Sequence, residues 1–178
     1  LVGSEMCIRD SPSSFRSVTA DEVRELVKEL DPEIRPVGVF VNAPMELVRT
    51  LLDDGTLALA QLHGQEDESY IRELKTYTDK LIIKAFSIKT AEDIEKALQS
   101  PADYILLDQG GGGTGKTFDW SLIPEIQRPF FLAGGIGTSN LGQAIREIHP
   151  YAVDLSSSVE TEKRKDPMKI RQVVDIVR

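Results

Sequence analysis

The chain has 178 residues, 40% of them hydrophobic and 28% charged, with a formal net charge of −8 and one cysteine. That size suits one domain with a real core. The acidic balance excludes a phosphate-backbone reader, which needs a basic face, and a single cysteine excludes an intrachain disulfide and fits a reducing compartment. No apolar run approaches the roughly 20 residues that span a bilayer, and no signal-peptide core opens the chain, so a cytoplasmic location is expected.

Residues 1–10 (LVGSEMCIRD) show neither helix nor strand periodicity. They are expected to be non-native or disordered, with a short strand around 6–8 as the alternative. From there short apolar runs alternate with amphipathic stretches. Strands are predicted over 36–41, 58–62, 80–86, 103–108, 129–133 and 151–156. Most are continuously apolar, as in parallel strands buried on both faces. Helices are predicted over 20–30, 44–54, 66–77, 91–99, 119–126, 139–148 and 167–177. Thr19 with Glu22 reads as a capping box, Thr90 with Asp93 as an acidic version of one, and Pro44 suits an early helical position.

Strict alternation of strand and helix predicts a parallel α/β sheet, open or closed into a barrel. The spacing of about 20–25 residues suits a (β/α)8 TIM barrel, of which eight units need roughly 200 residues or more. Six units and a leading helix are legible. The expectation is an incomplete barrel lacking the first strand, the first helix and most of the second strand, with its folded domain over 11–178.

In such folds functional groups collect where strands end. Those positions here carry Asn42, His63, Lys84, Asp108, Gly134 with Gly135, and Asp154 with Ser156 and Ser157. Asp108 leads into a glycine run, 110–117, that fits the nucleotide-binding pattern G-x-x-x-x-G-K-[ST]. Its context argues against nucleotide. It comes late in the chain, Asp119 is a better helix cap than Lys116-Thr117, and no partner strand ends in a magnesium-binding aspartate. The loop with Lys116, the Gly134-Gly135 turn before Thr138-Ser139-Asn140, and Ser156–Ser158 are three anion-friendly clusters. The last two sit where barrels often bind phosphate.

The segments VGVFVN, QLHGQE, IIKAF, ILLD, GGTGKTFDW, LAGGI and AVDLSSSVE, in this order, resemble the phosphoribosylanthranilate isomerase family. The resemblance runs from about residue 11 to the C-terminus. It implies a (β/α)8 barrel that carries out an Amadori rearrangement in tryptophan biosynthesis with no metal or organic cofactor. Asp108 would be the general acid. Arg16 would pair with the anthranilate carboxylate, and His63 would line the site. Gly134, Gly135, Ser156 and Ser157 would hold the phosphate through backbone groups, and Asp154 would sit at the mouth. The small-molecule substrate is the implied partner, with no nucleic acid and no membrane, and the oligomeric state is left open.

Two departures stand out. The family's general base is a cysteine on the first strand. Cys7 matches it only superficially, since eight residues separate it from Arg16, too few for a helix and a strand. The chain is therefore expected to lack its base, and the alternative is a non-catalytic remnant that still binds phosphate. Ser158 stands where the family usually has glycine, so local strain is expected there. Bland readings exist for each residue. Asp108 could cap a turn, Arg16 and Lys116 could be solvated loop charges, His63 could be a satisfied structural histidine, and Asp154 could support a neighbour. Lys84 at a barrel mouth would be costly unless an anion lies near.

Overall fold

The structure is a computed structural model that describes residues 5–8, 18–109, 117 and 119–178. Arg16 and the glycine loop 110–116 lie outside the described residues. The chain forms two compact units.

The first unit comprises Leu1–Ala85 with Ser100–Tyr104. Its strands are β1 (Glu5–Ile8), β2 (Val37–Phe40), β3 (Leu59–Leu62) and the start of β4 (Leu81–Ser87). All pair in parallel, with Cys7 opposite Val39, Val39 opposite Gln61, and Leu62 opposite Lys84. Every residue of β2 and β3 is buried, which is why, Gln61 apart, their sequences run apolar without alternation. Helices α1 (Ala20–Lys28), α2 (Met45–Asp53) and α3 (Glu68–Tyr77) lie between the strands. The Thr19–Glu22 capping box forms as expected, with the Thr19 N–H donating to Glu22 at 2.7 Å. Val23, Phe40, Val48, Leu51, Leu52, Leu62, Ile71, Leu74 and Ile82 form one continuous core.

The second unit comprises Phe86–Gln99 and Ile105–Arg178. It holds α4 (Ala91–Leu98), most of β5 (Tyr104–Asp108), β6 (Phe130–Leu132), α5 (Leu141–Ile148), β7 (Ala152–Val153) and α6 (Pro167–Val177). β5 pairs with β6 and β6 with β7, all parallel, with Leu107 opposite Leu132 and Leu132 opposite Val153. Ile88, Ile94, Ile105, Leu107, Phe130, Leu132, Leu141, Val159 and Val173 form its core. Asp93 accepts the Lys89 and Thr90 N–H groups before α4. Asp166 caps α6, with Pro167 in the first turn, where its missing N–H goes unneeded.

The backbone corrects four expectations. Disorder over 1–10 does not hold for Glu5–Ile8, which pair with β2 along their length. The buried strand β2 needs hydrogen-bond partners on both sides, and β1 supplies one set. The helix expected over 119–126 is only a 3₁₀ turn, Trp120–Leu122. Pro124 disfavours the helical region for the residue before it, and Ile123 is extended at φ −79, ψ 112. The strand expected over 151–156 is ordered as strand only at Ala152–Val153. Beyond it a small antiparallel hairpin, β8 (Glu160–Thr161) with β9 (Arg164–Lys165), had no sequence signal. Its turn residues Glu162 and Lys163 both have positive φ, 52° and 64°, without the usual Asn or Gly. Finally, Ser158 is not among the residues with positive φ, so the strain expected of a serine in place of glycine is absent.

Candidate active site

In the second unit Asp108 is the last residue of β5, and its carbonyl accepts the Ile88 N–H at 2.8 Å. The turn after β6 folds directly against it. Gly134 has φ 81°, and a Cβ there would lie 2.6 Å from Asp108 Oδ1 and 2.7 Å from the Gln109 nitrogen. Only glycine fits both that conformation and that approach. Asp108 and Gly134 are thus brought together, and Gly135 follows, also with positive φ.

Asn140 staples this turn. Its Nδ2 donates to the Gly135 carbonyl at 3.1 Å and its Oδ1 accepts the Gly137 N–H at 2.9 Å. Past β7 the Asp154 N–H continues the ladder to the Leu132 carbonyl at 2.9 Å. The Ser156 carbonyl accepts Lys165 Nζ at 3.0 Å, and Lys165 also pairs with Glu160 at 3.1 Å. The β8–β9 hairpin therefore buttresses the serine loop. Ser157 opens a 3₁₀ turn, Ser157–Val159, and is exposed. The Ser158 hydroxyl is buried without a hydrogen-bond partner among the described residues. In sequence Asn140 shows only as a helix-start donor, and nothing there links Lys165 to the serine loop. Asn140's signal was its place six residues after the Gly134 turn, at a helix start.

In the first unit His63 follows β3, where its N–H donates to the Phe40 carbonyl at 2.7 Å. Gln61 Nε2 lies 3.1 Å from His63 Nδ1. Around this segment is a buried polar cluster. Lys84, inside β4, donates to the Leu62 carbonyl at 3.3 Å, the Gly64 carbonyl at 2.7 Å and Glu66 Oε2 at 3.1 Å. Glu66 accepts the Asn42 N–H on Oε1 at 2.6 Å and the Gly64 N–H on Oε2 at 2.8 Å. Asn42, at φ 54°, accepts the Gln65 N–H at 2.6 Å. Lys84 and Glu66 are each 6% exposed. The anion that the burial of Lys84 demanded is thus Glu66.

Burial pushes the Glu66 carboxyl up, but its own N–H, the Asn42 N–H and the Lys84 ammonium outweigh this and hold it below the usual carboxylate range. Burial pulls Lys84 below the usual lysine range, against the opposing pull of Glu66. The Tyr70 hydroxyl donates to the Ala43 carbonyl at 3.3 Å, and burial, helped by the Glu66 charge, pushes its phenol up to about 12.

No group of three or more His, Cys, Asp or Glu among the described residues is placed to hold a metal ion. No helix among them is long and apolar enough to cross a membrane. A hollow of about 490 Å³ in the second unit is lined by Ile123, Glu125, Phe130, Glu147 and His149. It lies where β6 begins, away from the strand end that carries Asp108.

A family model for N-(5'phosphoribosyl)anthranilate (PRA) isomerase matches residues 3–176. The N-(5'-phosphoribosyl)anthranilate isomerase of Endomicrobium trichonymphae is 45% identical over 153 residues, covering 84% of this chain and 75% of that one. The enzyme of the same name from Bacillus cereus strain B4264 is 38% identical over 169 residues, covering 90% and 81%. Among solved structures, phosphoribosyl anthranilate isomerase from Thermotoga maritima superposes with a TM-score of 0.84 at 34% identity, covering 98% of this chain and 86% of that one. A phosphoribosyl anthranilate isomerase in complex with reduced 1-(o-carboxyphenylamino)-1-deoxyribulose 5-phosphate gives 0.81 at 32% identity, covering 97% and 85%. The parallel strands, the helices between them and these matches fit one architecture, the (β/α)8 barrel, and the chain belongs to the phosphoribosylanthranilate isomerase family of enzymes.

Proposed function

We propose that the chain acts in the conversion of N-(5-phosphoribosyl)anthranilate to 1-(2-carboxyphenylamino)-1-deoxyribulose 5-phosphate, a cytoplasmic step of tryptophan biosynthesis. Asp108 protonates the furanose ring oxygen and the ring opens to a Schiff base. A base then removes the C2′ proton, and the resulting enolamine tautomerises to the ketone. The observation that carries this reading is the carboxylate at the end of β5 with the Gly134 turn folded against it. It supports an acid set beside a nest of backbone donors, which suits a substrate with a sugar ring and a phosphate. Gly134, Gly135, Ser156 and Ser157 hold the phosphate. Arg16 pairs with the anthranilate carboxylate, His63 lines the site and Asp154 stands at its mouth. No cofactor takes part.

In this reading the base is not Cys7. β1 lies directly beside β2, with Cys7 opposite Val39. That register supports reading β1 in the place of the barrel's second strand, whereas the family's base stands on the first.

The test is turnover of N-(5-phosphoribosyl)anthranilate by this chain, alone and joined to a β-α segment bearing a first-strand cysteine. Enzyme-like turnover only in the joined form is expected. Turnover by the chain alone would refute the statement about Cys7. Binding of substrate without turnover in either form would favour the second reading, a non-catalytic phosphate-binding barrel.

A further inference from the structure

Glu66 is the hub of the polar cluster in the first unit. One carboxylate oxygen takes the Asn42 N–H, and the other takes the Gly64 N–H and the Lys84 ammonium. Both oxygens must accept. A glutamine would turn an NH₂ group against one of these donors, so the position demands a carboxylate. Lys84 in turn spends its remaining contacts on the Leu62 and Gly64 carbonyls. Stability is a weak reason for such a pair, because desolvating two charges offsets most of their attraction. Its contacts point to another purpose. Apart from Asn42, every partner belongs to the turn 62–66, and Asn42 itself holds that turn through Gln65.

The turn carries His63. Its imidazole is met on Nδ1 by Gln61, a residue 5% exposed. With the amide NH₂ donating to Nδ1, the neutral ring carries its proton on Nε2 and becomes a hydrogen-bond donor. We propose that Lys84 and Glu66 are positioning residues. Their pair locks the turn 62–66 so that His63 offers one ring orientation and one tautomer to the substrate's oxygens. This rests on the isomerase reading, in which His63 lines the site.

The test uses ¹⁵N NMR of the two imidazoles in the whole chain, with His149 in the other unit as internal reference. Wild type is compared with Glu66→Gln, with Lys84→Met, and with the double variant Lys84→Met/Glu66→Leu. Reduced 1-(o-carboxyphenylamino)-1-deoxyribulose 5-phosphate serves as binding probe. Expected in Glu66→Gln are a second set of His63 signals and unchanged His149 signals. Hydrogen exchange at Gly64 and Gln65 should quicken about tenfold or more. Probe affinity should fall about tenfold or more, as for a misplaced contact. The double variant should regain melting temperature without regaining the single His63 signal set, which a merely stabilising pair would not do. Unchanged His63 signals and unchanged exchange at Gly64 and Gln65 overturn the proposal, however far the melting temperature falls. Should Glu66→Gln fail to fold, the double variant decides by the same signals. Failure of the wild type to bind the probe would sink the isomerase reading, and the NMR comparison would still decide the positioning role.

Discussion

The turn after β3 and the turn after β6 both follow buried strands, and each carries a residue proposed for the site. They keep their shapes by different means. The first is tied down by an ion pair between Glu66, at the turn's own end, and Lys84, which reaches in from β4. The second is shaped by glycine at φ 81° and stapled by one neutral side chain, Asn140. A turn held by charges should fail when a charge is deleted. A turn held by backbone conformation should fail when a Cβ is added. The two units thus invite opposite perturbations, and each serves as the control for the other.

The largest effect belongs to chemistry. In a form that turns over substrate, Asp108→Asn should lower kcat about 10²–10⁴-fold, the usual worth of a positioned proton donor. Melting temperature should hardly move. A near-normal kcat in a steady-state assay would remove Asp108 from its proposed role.

Next comes the charge-held turn. Lys84→Met leaves Glu66 buried and uncompensated, and should cost about 3–5 kcal/mol in urea unfolding. A loss under about 1 kcal/mol would mean that water reaches the pair, since exposed pairs are worth that little.

The backbone-held turn should respond to Gly134→Ala. The φ of 81° and the approach to Asp108 Oδ1 should together cost about 1–3 kcal/mol and displace the carboxylate. Gly55→Ala is the matched comparison. Gly55 has φ 77° with nothing within 4 Å of a new Cβ, so only the conformational part, about 1 kcal/mol, should appear. Equal losses at both positions in denaturant titrations would mean that the close approach to Asp108 costs nothing.

The mildest probe of the contrast is pH. The Glu66 carboxyl is held low in the folded chain. A lowered folded pKa gives stability that is fully present above the unfolded value and lost as pH falls through the folded one. Lys84, also lowered, acts at the other end, with stability rising as pH climbs from its folded to its unfolded value. Glu66→Gln should flatten the acid limb of a stability-against-pH curve. Gly134→Ala should shift that curve down without changing its slope.

Sequence carried much of this architecture and less of the site's internal bonding. The apolar runs behind β2 to β6 and the Thr19 and Asp93 caps are local signals, so they could be read directly. Trp120–Leu122 misled because apolar spacing suggested a helix that Pro124 prevents. The β8–β9 hairpin was hidden because Glu162-Lys163 carries no turn chemistry. Asp108, Gly134 and Asp154 were legible as strand-end positions. Lys84 was legible as a buried charge in want of an anion, but its anion was not. Glu66 looked like the first residue of a helix over 66–77. In the fold α3 starts at Glu68, capped by Asp67, because Glu66 is drawn back toward Asn42 and Lys84. That pairing joins residues 18 positions apart and exists only after the strands align.

The β8–β9 hairpin bears on time rather than on affinity alone. Lys165 leaves its second strand to hold the Ser156 carbonyl, while the tip forces two side-chain-bearing residues into the left-handed region. A strut strained at its tip holds conformational energy, as a loaded spring does. If a phosphate rests on the serine loop, the stiffness of this spring sets how quickly the loop lets go. An Asn-Gly tip would relax the spring without touching the ligand, so product residence time becomes tunable from a surface turn several residues away.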